Sequence, residues 1–248
     1  MCEICGCYPC RSACPNAPEP QPVYECEGCK GDSMIIRIDN REEWLKVRQL
    51  QGIGGSEAGC VLGVNKYQSN VELWELKTGK REAPDLSENA AVQFGKYAEP
   101  LLRDLFKQDY SEYAVDYHEF WIYVNVTFPF IFATLDGELT DAKGRKGILE
   151  IKTTTIQNRS QWDEWDDRIP DSYYAQCLHQ LAATGWEFVI LKAYIRYYVD
   201  GEVRVTIRHY RINRKDVESD IQFLIQEEST FWNNVKSNTR PALKLPEI

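Results

Sequence analysis

Apolar and polar residues alternate along this chain at two periods, and the change from one to the other orders its elements. A short strand is predicted over 34–38. From Asn40 the spacing becomes helical: Asn40 is the N-cap, Glu42 and Glu43 fill the first turn, and Trp44, Leu45, Val47 and Leu50 form one apolar stripe. The glycine-rich Gly52-Ile53-Gly54-Gly55-Ser56 leads into a short apolar helix over 57–62, with Ser56 as its cap and Gly63 as its stop. Ser69 caps another helix, through Val71, Leu73, Trp74 and Leu76 to Gly79. The stretch 90–110 repeats the pattern at greater length, with Pro100 expected to kink it or open a new first turn.

The period then shortens to two. The aromatic and β-branched runs 120–126 and 130–133 lead into a hairpin over 136–152, whose turn carries Lys143-Gly144-Arg145. Alternation on its second strand sends Glu150 and Lys152 to one face and Leu149 and Ile151 to the other. Three threonines and a loop rich in Trp and Asp (161–167) follow. A helix starts at Pro170-Asp171-Ser172, strands 186–198 and 202–212 turn at Asp200-Gly201, and a helix over 215–235 closes the chain. Helices around a mixed sheet with a central hairpin define the α/β class.

At 248 residues the chain is long enough for one well-cored domain with a small appendage. No apolar run approaches the roughly 20 residues that cross a bilayer, and the N-terminus lacks the basic-then-apolar layout of a signal peptide. A cytoplasmic protein with no membrane partner is therefore expected. The net charge of −9 argues against indiscriminate adhesion to nucleic acid but does not bear on where Lys and Arg cluster.

Cysteine usage changes the picture at one end. Of nine cysteines, Cys60 and Cys177 lie in apolar surroundings and read as core, whereas the other seven fall within the first 29 residues. Cys2 and Cys5, then Cys26 and Cys29, have the C-x2-C spacing of a zinc ribbon, with Cys7, Cys10 and Cys14 as alternative ligands or as the sign of an iron–sulfur cluster. A proline-rich connector separates the pairs. The division is thus a Cys-rich Zn²⁺-binding segment over 1–33 and a larger domain over 34–248.

The hairpin carries the candidate chemistry. Asp136 and Glu150 on paired strands offer hard oxygen ligands to Mg²⁺, and Lys152 beside them can hold a water. A lone Asp and Glu-x-Lys is also what an ordinary charged hairpin contains. Likewise the glycines before Ser56 can present backbone N–H groups to a phosphate or simply form a turn. Glu99 can be no more than a solvated neighbour of Lys96 and Arg103.

Several of these segments, in order, resemble the YqaJ-like viral recombinase family, the phage lambda-type alkaline exonucleases within the PD-(D/E)xK nuclease superfamily. The matching stretches are Gly52-Ile53-Gly54-Gly55-Ser56-Glu57, Glu72-Leu73-Trp74 with Lys77-Thr78-Gly79, Phe94-Gly95-Lys96-Tyr97-Ala98-Glu99, Ala133-Thr134-Leu135-Asp136-Gly137, Leu149-Glu150-Ile151-Lys152 and Tyr173-Tyr174-Ala175-Gln176. They cover roughly residues 40 to 200. Leu135 stands where the superfamily's name has proline, a turn-shaping position that ligates nothing.

The resemblance implies a restriction-endonuclease-like core and assigns roles. Asp136, Glu150 and the backbone carbonyl of Ile151 would ligate Mg²⁺ (or Mn²⁺), two ions per site, stabilising attacking and leaving oxygens. Lys152 would position and help deprotonate the water, Gln176 would orient Lys152, Glu99 would face the metals, and Arg48 and Ser56 would hold a DNA 5′-phosphate. The implied activity is 5′→3′ digestion of one strand at double-stranded DNA ends, leaving 3′ tails for a phage single-strand annealing protein. A ring-shaped homotrimer in a bacterial host's cytoplasm is implied as well. Two other readings are an endonuclease or nickase on the same fold, and a nuclease-inactive zinc-finger adaptor.

Overall fold

A computed structural model describes residues 33–50 and 52–245. The seven N-terminal cysteines, and with them the zinc and iron–sulfur readings and all of the 1–33 segment except Ser33, which begins a strand of the larger domain, lie outside the described residues.

Two sheets and a buried helix organise the domain. The first sheet has the order β1-β4-β5-β2, formed by β1 (Ser33–Ile36), β2 (Ile53–Gly54), β4 (Ile122–Asn125) and β5 (Ile131–Ala133). The second and larger has the order β3-β6-β7-β8-β9, with β3 (Ala114–Asp116), β6 (Gly137–Thr140), β7 (Lys146–Ile156), β8 (Phe188–Val199) and β9 (Glu202–Asn213). It is mixed: β6–β7 and β8–β9 are antiparallel, while β7 and β8 run parallel. Parallel neighbours need a crossover. Here it holds α5 (Arg159–Asp163) and α6 (Asp171–Thr184).

The period-two reading of the hairpin agrees with the packing. Leu149 and Ile151 are buried under Ala98, Leu102 and Phe106 of α4 (Ala90–Asp109), together with Phe188 and Ile190 of β8. Glu150 and Lys152 take the opposite face, toward α6. β7 runs longer than expected, because Thr153 to Thr155 continue it and do not begin a loop. β-Branched residues suit that extension. Within the polar stretch that follows, 159–163 is helical, with the Asn158 side chain accepting the Gln161 N–H as a cap.

α6 is the element that ties the layers together. Ala175, Ala182 and Ala183 let it approach closely, and Cys177, Leu178 and Leu181 pack between β4 and β5 on one side and α2 (Ala58–Leu62) and α7 (Glu218–Lys236) on the other. His179, fully buried, is anchored at both ring nitrogens: Nε2 is 2.8 Å from the Phe132 carbonyl oxygen and Nδ1 is 2.7 Å from the Glu228 carboxylate of α7. Burial opposes its protonation, but Glu228 prevails and raises the His179 pKa above its ordinary value.

Several local signals hold. Asn40 accepts the Glu43 N–H at the start of α1 (Arg41–Leu50), and Ser69 and Glu72 form a reciprocal capping box at α3 (Asn70–Lys77). Trp44 and Val47 pack inward from α1, whereas Leu45 is 40% exposed. Pro100 does not end α4, which continues through it to Asp109, with the ring on the exposed side where a missing backbone donor costs least. Ser56 is not a helix cap. It is an exposed residue inside a 3₁₀ turn, Gly55–Glu57, and Glu57 closes that turn by accepting the Gly54 N–H at 2.8 Å. Gly52 is required for a different reason: its φ is +154°, and a Cβ there would lie 2.0 Å from the Phe130 carbonyl oxygen.

Candidate active site

The hairpin supplies the centre of the site. Asp136 ends the loop that enters β6, and its Oδ2 accepts the backbone N–H of Ile151 at 2.8 Å, which stitches the acid to the facing strand. Its backbone carbonyl is held by the Arg103 guanidinium of α4, and Arg103 also donates to Glu99 Oε1 at 2.6 Å. A pair one turn apart on one helix thus brings Glu99 to the hairpin. The neighbourly Arg103 of the bland reading is present, and it is the tether that presents Glu99 to the cavity.

On the opposite side, α6 grips Glu150. Gln176 donates from Nε2 to Glu150 Oε1 at 2.7 Å and accepts from Lys152 Nζ at 2.8 Å, while Lys152 Nζ lies 2.7 Å from the same Glu150 oxygen. Glu150 Oε2 is taken by Nε2 of Gln180, one helical turn further on. Gln180 is 1% exposed, and its own Oε1 has no partner. Sequence reasoning passed over Gln180. Its signal was the i, i+4 spacing from Gln176, which places both amides on one helix face.

The electrostatics of this cluster are those of crowded acids. Burial, then Glu150 and Glu99, raise the Asp136 pKa well above its ordinary value. Burial also raises that of Glu99, with Arg103 opposing and Glu150 reinforcing the shift. Burial works against the charge of Lys152, but Glu150 and Asp136 outweigh it and hold the ammonium protonated above the usual lysine range.

A cavity of about 290 Å³ opens over these groups, lined by Glu99, Asp136, Glu150, Ile151, Lys152 and Gln176, with Arg48 and Ser56 also on its wall. Every residue assigned to the site from sequence lines this one space. Arg48 is stacked over the Trp44 ring at 4.4 Å. A second groove, of about 600 Å³, shares Arg48, Glu99 and Asp136 with the cavity and adds the cations Arg41, Lys96 and Arg103.

Among the described residues no three Asp, Glu, His or Cys side chains converge as a ready-made metal cage. Each acid is instead occupied by a protein donor. The donor set still fits a hard divalent cation: three carboxylates line one cavity, Glu150 and Glu99 add to the raised pKa of Asp136 and Glu150 to that of Glu99, and a bound cation would relieve that repulsion.

This fold is shared with phage-type alkaline exonucleases. The alkaline exonuclease LHK-Exo from Laribacter hongkongensis superposes with a TM-score of 0.56 at 23% identity, over 80% of this chain and 94% of that one. Its complex with dAMP gives 0.58 at 22% identity. A phage-related exonuclease from Haemophilus somnus 129PT gives 0.50 at 12% identity, over 75% of this chain and 96% of its own. Residues 43–187 match the YqaJ-like viral recombinase domain, and the chain belongs to that family. The uncharacterized protein YqaJ of Bacillus subtilis (strain 168) is 33% identical over 213 residues, which cover 82% of this chain and 59% of that protein. The chain therefore spans less than two thirds of that relative's length. No helix among the described residues is long and apolar enough to cross a membrane.

Proposed function

We propose that the chain is a metal-dependent deoxyribonuclease that degrades one strand of double-stranded DNA from its 5′ end and leaves a 3′ single-stranded tail. The observation that carries this reading is the single cavity shared by Glu99, Asp136, Glu150, Lys152 and Gln176, with Arg48 and Ser56 on its wall. Asp136, Glu150 and the Ile151 carbonyl would hold Mg²⁺ or Mn²⁺, which supplies Lewis-acid stabilisation of phosphoryl oxygens.

The chain's own groups do the rest. Gln176 orients Lys152, and Lys152 hydrogen-bonds the attacking water. With Asp136 and Glu150 neutralised, Lys152 loses the charges that keep it protonated and can accept the water's proton. The water oxygen bonds to phosphorus as the bond to the 3′-oxygen breaks, so the shortened strand carries a new 5′-phosphate. Arg48 and Ser56 recapture that phosphate, which makes the enzyme end-directed. The same reading gives it DNA ends as substrate, an annealing protein as user of the tails, a trimeric ring around the duplex and a bacterial cytoplasm as its place of action. For the cysteine-rich head it keeps Zn²⁺ on Cys2, Cys5, Cys26 and Cys29.

The test is 5′-phosphorylated linear duplex incubated with Mg²⁺. Lys152→Ala is expected to slow hydrolysis by about 10²- to 10⁴-fold, the usual contribution of a proton-transferring side chain. Hydrolysis that survives both Lys152→Ala and Glu150→Gln overturns the assigned site. Digestion of closed circular DNA overturns end-directed action in favour of an endonuclease.

A further inference from the structure

Two further grooves lie near the catalytic cavity. The one that shares Asp136 and Glu99 with it is lined by Arg41, Lys96 and Arg103 and by the rings of Trp44, Tyr117 and Phe120. The other, of about 680 Å³, lies beyond Tyr173, which lines it and whose ring sits 5.1 Å from Lys152 Nζ. Its rim carries Tyr67, 95% exposed in the loop between α2 and α3. An aromatic ring in that much water has no folding role, yet its backbone is held: the Tyr67 and Gln68 N–H groups both donate to Asn65 Oδ1, at 2.8 and 3.1 Å. Lys66 reaches across the groove to Glu164, and Arg168 pairs with Asp171 at 3.2 Å. These cations are 63% and 56% exposed, and ion pairs so placed contribute little and release their cation readily to a phosphate.

Resting on the nuclease reading above, we propose that this groove binds single-stranded DNA, with bases stacked on Tyr67 and Tyr173 and phosphates on Lys66 and Arg168. The rings select the ligand. A duplex keeps its bases stacked on one another and offers only its backbone, whereas an unpaired strand presents base faces to an aromatic platform. Tyr173 links this groove to Lys152, where a strand-degrading enzyme creates unpaired DNA, so the occupant is the single-stranded part of the substrate at the site of cutting.

The experiment measures fluorescence anisotropy of a labelled blunt duplex and of the same duplex with a 3′ single-stranded tail, in EDTA to prevent cutting. The native chain is expected to bind the tailed DNA more tightly. Tyr67→Ala, which alters an exposed side chain and leaves the melting temperature unchanged, should remove that advantage by about 5- to 150-fold, the stacking of one base, with blunt-duplex binding retained. Arg168→Glu should weaken tailed-DNA binding and reduce its salt dependence. Equal affinity of the native chain for the two DNAs, or a Tyr67→Ala chain that keeps the full preference, overturns the groove and leaves the nuclease reading standing. Failure of the native chain to bind any DNA overturns both.

Discussion

Gln180→Met separates what stabilises the domain from what shapes the site. The substitution keeps volume but deletes the donor on Glu150 Oε2, leaving Gln176 and Lys152 on Oε1. Losing a hydrogen bond to a charged group costs about 1.5–3 kcal/mol. The same change removes the amide oxygen of Gln180, buried without a partner, whose desolvation costs about 1–3 kcal/mol in the native protein. The two nearly cancel, so the melting temperature should move by no more than a few degrees. The carboxylate's orientation has no such offset. Removal of a group that orients a metal ligand weakens metal binding by about 10- to 100-fold. Calorimetric titration with Mn²⁺, without DNA, should therefore show that loss in a protein that melts normally, and Gln180→Glu, which cannot donate as a carboxylate, should not rescue it at neutral pH. A lower melting temperature with unchanged Mn²⁺ affinity would refute the argument and make Gln180 a packing residue.

Arg48→Ala should reduce the preference for 5′-phosphorylated over 5′-hydroxyl duplex ends, measured as a ratio of initial rates, without abolishing metal binding. The His179–Glu228 pair gives a pH dependence: a raised folded pKa contributes stability that is fully present below the unfolded value of 6.5 and is lost as pH rises through the folded pKa. Denaturation midpoints should fall over that window in the native chain and flatten in His179→Gln. Gly52→Ala should destabilise by about 2–5 kcal/mol, from strain at positive φ plus a Cβ driven into the Phe130 carbonyl; a melting temperature within a degree of native would contradict that.

Much of the site was legible because period-two alternation assigns faces without knowledge of the fold. Glu150 and Lys152 had to part from Leu149 and Ile151, and the apolar face of α4 on one side and the glutamines of α6 on the other are what that parting requires. Caps at Asn40 and Ser69 were legible for the same local reason. Pairing was not. That β2, two residues long, joins β5 and that β3 joins β6 depends on contacts distant in sequence, and segments as short as Ala114–Asp116 have no alternation to detect. The threonines after Lys152 looked like loop because they are polar, yet Thr153 lines the cavity and the strand has reason to carry them. Gln180 escaped notice because a buried glutamine is uncommon, and its value becomes visible only when Glu150 is seen to need a second donor.

The burial of α6 has a consequence for how the domain can change with time. Gln176 and Gln180 sit on a helix whose other side chains are buried from Ala175 to Thr184 and whose His179 is fastened to β5 and α7 at once. The amide protons of that buried part are expected to exchange with solvent only when the domain opens as a whole. The floor of the cavity is therefore slow, set once at folding. On the proposed nuclease reading, adjustment to different DNA ends is left to the rim, at α1, the 3₁₀ turn of Ser56 and the loop of Tyr67, which stand apart from the carboxylates beneath.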